Sequence, residues 1–300
     1  MNKVIGGYRC MTPMQTTGSG SARWCIAQQD DKQFFLKEFL SPVYPAQTDT
    51  PLGKRQAERC IQFEQKKQRL YRAAACVLGN TLIPVVDFFR SDGHYYAVSE
   101  AAPESHLTAE KADHLSAEEK RKVLCDLAVC LQHMHQQGVV HADLKPEHVL
   151  LIRDNGELAT QLIDLDSGFL ADHPPVSERE IEGDPAYLAP EAFLKMMGET
   201  VALGTALDTF SFGMLIHQIW TGDLPGFDHE KYHYLYEAVL DGADIRVMLP
   251  GLWEPLVRRM LCAEPSMRPL DAEIVSAFLK PEEKQEHMPF QNGLCRLMKA

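Results

Sequence analysis

The run His141-Ala142-Asp143-Leu144-Lys145-Pro146-Glu147-His148-Val149-Leu150-Leu151 constrains this chain more than any other stretch. An acid and a lysine stand two residues apart in a tight loop, and an apolar run of strand character follows. Such a loop sets one carboxylate beside an attacking hydroxyl and one ammonium beside a phosphate. Chemistry of that kind also needs a phosphate-covering turn, a second lysine and metal-holding acids, drawn from elsewhere in the sequence.

The bulk properties allow such a site. At 300 residues the chain has room for two domains or one bilobal one, and 45% apolar with 24% charged residues predicts an ordinary packed core. A formal net charge of −12 argues against a general binder of nucleic acid or anionic membrane. The eight cysteines include no C-x-x-C pair and read as reduced, buried thiols of a cytoplasmic protein. The N-terminus lacks a signal pattern, and no run approaches the ~18 apolar residues of a membrane span.

Residues 1–40 read as strands. Trp24–Ala27 and Phe34–Phe39 flank the polar turn Gln28–Asp31 as a hairpin would, and a Gly/Ser/Thr turn precedes them at 16–21. Pro42, Pro45 and Pro51 punctuate a loop, after which Arg55–Tyr71 reads as a charged helix. Leu82–Phe89 and His94–Val98 are strand candidates around Ser91-Asp92-Gly93. Beyond Ala102-Pro103 the pattern turns helical: Ser116 caps a helix reaching about Gln137, with short strands near Val149 and Leu162. Leu207–Trp220 and Leu252–Leu261 are further apolar helices, and 281–300 form a tail.

The run at 141–151 resembles the catalytic loop H-R-D-L-x-x-x-N of eukaryotic-type protein kinases. Further resemblances follow in chain order: Gly18-Ser19-Gly20 to the glycine-rich loop, Asp164-Leu165-Asp166 to the metal-binding D-F-G, and Ala189-Pro190-Glu191 to A-P-E. Asp208 to Gly213 is similar to the helix start that braces the catalytic loop, and Arg268 to the arginine that pairs with the A-P-E glutamate. The resemblance implies an α+β, bilobal fold: residues 1–102 form a small β-rich lobe of five strands, and 103–280 a larger helical lobe. It also implies ATP with Mg2+, and a protein substrate accepting phosphate on Ser or Thr, because Lys145 matches the Ser/Thr-kinase form of the loop. No nucleic-acid or membrane partner is expected, and no oligomeric state is assigned.

Roles carry over residue by residue. Asp143 orients the substrate hydroxyl and Lys145 offsets charge on the transferring group. Gly18, Gly20 and Lys37 hold phosphates; Glu64, with Glu58 as the alternative, pairs with Lys37; Glu100 and Ala102 offer backbone bonds to adenine behind a small Ser99. Asp164 holds metal, aided by Asp166 or His148; the other register, Asp166-Ser167-Gly168, keeps the glycine of D-F-G but would place Asp164 in the strand. His141 supports the metal-site turn.

The departures matter as much. Arg23 replaces the third glycine, where it narrows the cleft or adds a phosphate contact. Ala142 replaces the arginine that reads loop phosphate, and Asp184 a common threonine. His148 replaces a metal-binding asparagine; imidazole suits Mn2+ better than Mg2+. Either Asp166 compensates, or metal preference changes, or the chain is a pseudokinase scaffold. His229-Glu230-Lys231-Tyr232-His233 matches the zinc-hydrolase H-E-x-x-H, which would need both histidines on one helical face, with Glu254 as a possible third ligand.

Overall fold

The computed structural model describes residues 3–17, 20–102, 106–154 and 156–279. The fold is α+β, with a curled antiparallel sheet in its first part and helices in its second. The sheet comprises β1 (Val4–Ile5), β2 (Tyr8–Cys10), β3 (Gln15–Thr16), β4 (Ala22–Gln29) and β5 (Lys32–Phe39). Helix α1 (Pro51–Ala74) follows, then β6 (Val85–Ser91) and β7 (His94–Glu100). Strand order is β1-β2-β4-β5-β7-β6, with β3 also pairing β4, so the sheet has seven strands where the kinase resemblance implied five.

The hairpin expected between Trp24 and Phe39 forms, in register from Ala22 opposite Phe39 to Gln29 opposite Lys32. Alternation gives each face its task. Cys25, Ala27, Phe34 and Leu36 point outward into a small core with Ile5, Tyr8, Cys10, Tyr96 and Val98. Trp24, Phe35, Lys37 and Phe39 point to the other face, toward α1 and the helical part.

Helix α1 begins earlier than Arg55. Thr50 Oγ1 accepts from Gly53 N at 3.0 Å, and Pro51 occupies the first helical position, where a missing N–H costs nothing. The proline read as loop punctuation is a helix start. The buried stripe of α1 includes Ala57, Cys60, Lys67, Leu70, Tyr71 and Ala74.

The second part begins with α2 (Ala109–Asp113) and α3 (Ala117–Gln136). Ser116 and Glu119 close a capping box at the start of α3, and Gly138, at φ 70°, lets the chain leave it. Then come β8 (Val139–Val140), β9 (Val149–Asp154), β10 (Glu157–Leu162) and β11 (Phe169–Leu170), followed by α4 (Pro190–Met196) and α5 (Ala206–Thr221). Helices α6 (Leu235–Leu240), α7 (Trp253–Met260) and α8 (Asp271–Leu279) complete the described part. Nearly every residue of α5 from Leu207 to Ile219 is buried, as befits a helix apolar on all sides. One core runs from Phe39, Leu70 and Tyr71 through α3 to Phe278, so α1 and the helical part pack as a unit. Among the described residues no helix is long and apolar enough to cross a membrane.

Residues 229–233 are turn and irregular backbone, not helix. The His229 ring packs on Phe227 at 4.0 Å, and the backbone N–H of His233 bonds Glu237. The two histidines therefore share no helical face, and among the described residues no metal-holding cluster of three acids, His or Cys forms. That removes the zinc-hydrolase reading, Glu254 included: its carboxylate pairs with Arg258. The tail 281–300 lies outside the described residues.

Candidate active site

The loop at 141–148 is held from below. Asp208, at the start of α5, is fully buried and accepts from the backbone N–H of His141 (Oδ2, 2.8 Å) and of Ala142 (Oδ1, 2.8 Å). His135 on α3 bridges Asp208 Oδ2 at 3.0 Å and Asp271 at 2.9 Å. Burial opposes its charge, but the hydrogen bonds it donates to both carboxylates win, and the His135 pKa is pushed up to about 9. His141 Nε2 meets the Ile163 carbonyl at 3.1 Å, tying the loop to the segment that carries Asp164. The brace expected of Asp208 and the supporting role expected of His141 are therefore visible as contacts.

Two backbone positions in this cradle are left-handed without being glycine: Ala142 at φ 64° and Asp164 at φ 69°. Each costs of order 1–3 kcal/mol and persists only where its surroundings over-determine it. Here the Asp208 carboxylate fixes the first, and Lys37 pulls on the second.

Lys37 reaches across the cleft from β5. Its Nζ lies 2.8 Å from Asp164 Oδ2 and 2.6 Å from Asp166 Oδ2. Burial disfavours the ammonium, yet the Asp166 and Asp164 charges outweigh it and raise the Lys37 pKa above its usual range. Burial likewise opposes ionisation of Asp164, and the Lys37 charge still holds its carboxyl well below the ordinary carboxylate range. Asp166 moves the other way: burial and the neighbouring Asp164 charge raise its pKa.

Across the cleft, Asp143 Oδ1 accepts from the Asp184 N–H at 2.8 Å, and Asp143 Oδ2 lies 3.1 Å from Lys145 Nζ. The Asp184 carboxylate is 3.6 Å from the same ammonium. His148 joins the two halves. Its Nδ1 is 2.7 Å from the Asp143 carbonyl, which can only accept, so Nδ1 carries the proton and Nε2 presents a lone pair. That Nε2 is 3.7 Å from Asp164 Oδ2, while Nδ1 is 3.6 Å from Asp143 Oδ2. Burial pushes the His148 pKa down to about 4, so the ring is neutral at pH 7. One imidazole thus touches both acids, and Asp143 and Asp164 face a single cleft.

Not every expected residue arrives. Glu64 does not meet Lys37: its Oε2 accepts from Tyr95 Oη at 3.3 Å and its Oε1 from Gln68 at 3.3 Å. Glu58 is exposed. Lys67, one turn farther along the same face of α1, enters the cleft instead. Lys67 is 8% exposed and donates to the backbone carbonyl of Asp166. Arg23 neither narrows the cleft nor faces a phosphate; it bonds Glu38 Oε1 at 2.9 Å on the opposite face of the sheet from Lys37. Gly20, at φ 72°, has open space around it, while Gly18 and Ser19 lie outside the described residues. Glu100 ends β7 opposite Phe34, and Ala102 follows in the connection to the helical part.

Sequence reasoning missed two things besides Lys67. Trp24, opposite Lys37, stacks on Phe35 with centroids 5.1 Å apart, so an aromatic pair lies on the cleft face beside the lysine. Lys66 also pairs with Glu180, linking α1 to the segment between Asp166 and Glu191. The signal for Lys67 was present: a lysine inside an apolar stripe of helical period. At the far end of that segment Glu191 and Arg268 form the expected buried pair, at 2.6 and 2.8 Å.

The chain belongs to the protein kinase domain family, whose profile matches residues 47–277. It is 28% identical over 200 residues to the mouse hormonally up-regulated neu tumor-associated kinase, covering 64% of this chain and 26% of that protein. The rat serine/threonine-protein kinase SIK1 is 34% identical over 166 residues, covering 54% of this chain and 20% of its own length. The bovine phosphorylase b kinase gamma catalytic chain, liver/testis isoform, is 26% identical over 244 residues, covering 78% of this chain and 56% of that protein. This chain thus spans about a quarter of the first of these relatives.

Proposed function

We propose that the protein transfers the γ-phosphoryl group of ATP to Ser or Thr hydroxyls of a protein substrate. The observation that carries this reading is the convergence on one cleft of Asp143 with Lys145 and of Asp164 with Lys37. Asp143 accepts a hydrogen bond from the acceptor hydroxyl and aims it. Lys145, already beside that carboxylate, offsets negative charge on the group in flight. Lys37 holds phosphate, aided by Gly18 and Gly20; Glu100 and Ala102 offer backbone groups to the base.

The donor set suits a divalent cation. The Asp164 and Asp166 carboxylates both lie beside the Lys37 ammonium, and His148 Nε2 lies 3.7 Å from Asp164 Oδ2, although among the described residues these groups do not converge as a ready-made metal cluster. Asp164, Asp166 and His148 are therefore the residues that would hold Mg2+ or, favoured by the imidazole, Mn2+. A cation held there would supply positive charge to offset that of the phosphate oxygens. Lys37 leaves the two acids for the phosphates in that state.

The same reading takes 1–102 as the nucleotide-covering lobe and 103–280 as the substrate lobe. Seven free cysteines among the described residues and a net charge of −12 support a cytoplasmic protein that acts on other proteins and not on nucleic acid or membrane. Incubation with γ-labelled ATP, Mg2+ or Mn2+ and a generic basic protein tests the reading. Label well above an Asp143→Asn control is expected. Binding of ATP with no label above that control would instead make the chain a pseudokinase scaffold.

A further inference from the structure

We propose that Lys67 is a positioning residue for the metal-holding segment. It links α1 to the active site through a cation where protein kinases use a glutamate. The proposal rests on the phosphoryl-transfer reading above and extends it to a residue that reading does not use.

Four contacts carry it. First, the Lys67 ammonium donates to the Asp166 backbone carbonyl. Second, the Asp166 side chain lies 2.6 Å from Lys37 Nζ, so α1 reaches Lys37 through Asp166. Third, the Lys67 ammonium is caged by the rings of Phe39 (5.5 Å), Tyr71 (5.8 Å) and Phe63 (5.9 Å), which fix it electrostatically and sterically. Fourth, Glu64, the nearest carboxylate on the helix, is engaged by Tyr95 and Gln68.

The charges explain the exchange. Asp166 adds a carboxylate beside Asp164, in the position where the D-F-G pattern has glycine. Two adjacent acids repel and resist sharing a site unless cations flank them. Lys37 supplies one cation, but it is also needed on phosphate. Lys67, buried behind the segment, supplies another that stays in place when Lys37 moves. A helix glutamate at this point would add a third negative charge, so the lysine on α1 and the acid in the segment require each other. Lys66, paired with Glu180, grips the same segment farther along.

The test compares Lys67→Met with the unaltered chain. Methionine keeps an apolar stem in an apolar stripe, so the variant should fold with an undiminished Tm. In the metal-free protein, hydrogen exchange at the Asp166 and Gly168 amides should lose protection. Mn2+ binding with a non-hydrolysable ATP analogue, followed by electron paramagnetic resonance, should weaken about 10- to 100-fold, as when an outer-shell partner is removed. Unchanged exchange protection in Lys67→Met would overturn the assignment. An unaltered chain that binds neither Mn2+ nor ATP would refute the phosphoryl-transfer reading, and the exchange measurement would still judge Lys67.

Discussion

Replacing Glu191 by Ala should destabilise the protein far more than removing both members of the pair to which it belongs. Its carboxylate receives two parallel bonds from Arg268, at 2.6 and 2.8 Å, and the two side chains are 5% and 1% exposed. Deleting the acid leaves a guanidinium in the core with the carbonyls of Cys262, Ala206 and Ala263 and the Phe210 ring as partners. Those dipoles satisfy N–H groups but do not neutralise charge, and a buried pair broken on one side costs about 3–5 kcal/mol. At about 2 °C per kcal/mol for a domain of this size, Tm should fall by about 6 °C or more. The double variant Glu191→Leu with Arg268→Met, which removes both charges and keeps apolar volume, should recover most of that loss. Differential scanning calorimetry of the three proteins at pH 7 decides it. A Glu191→Ala loss below about 1 kcal/mol, the range of an exposed pair, would refute the buried-charge argument.

Three other outcomes are expected. His135 has a folded pKa of about 9 against 6.5 for a free histidine, so its stabilisation is full below pH 6.5 and lost as pH rises through 9. Urea unfolding at pH 6 and pH 9.5 should differ by about 3 kcal/mol on this account, and His135→Gln should flatten the difference. Lys37→Met should abolish phosphoryl transfer yet tighten Mn2+ binding without nucleotide, because Lys37 no longer competes for Asp164 and Asp166; calorimetric titration measures it. ATP should change the tryptophan emission through Trp24, which lies on the cleft face with Lys37, and Trp24→Phe should remove that change.

What could be read from the sequence was what is local. The hairpin at 22–39 follows from alternation around a polar turn, and the cap at Ser116 from a box closed within one turn. Asp143, Lys145 and His148 lie within a few residues of one another, so their neighbourhood was visible before any fold was known. Facing directions across elements were not visible. Whether Glu64 or Lys67 of α1 turns inward depends on how α1 packs against Phe39 and the segment at 164–166, and spacing from Lys37 carries no such information. Arg23 was misread for a related reason: its position in a loop pattern was weighed, but not the strand face that pairs it with Glu38. The match at 229–233, kept only as a remote alternative, holds no site because the motif presumes a helix that Pro225 and Gly226, just before it, do not start.

The proposed function requires one cleft, for metal and nucleotide, shared by residues from distant parts of the chain. Crystals of the protein with Mn2+ and a non-hydrolysable ATP analogue, measured at the manganese absorption edge, test it most directly. The anomalous peak should lie between the carboxylates of Asp164 and Asp166, within reach of His148 Nε2, with Lys37 moved onto phosphate. Nucleotide bound elsewhere, or manganese absent from those two acids while Lys37 still spans them, would contradict it.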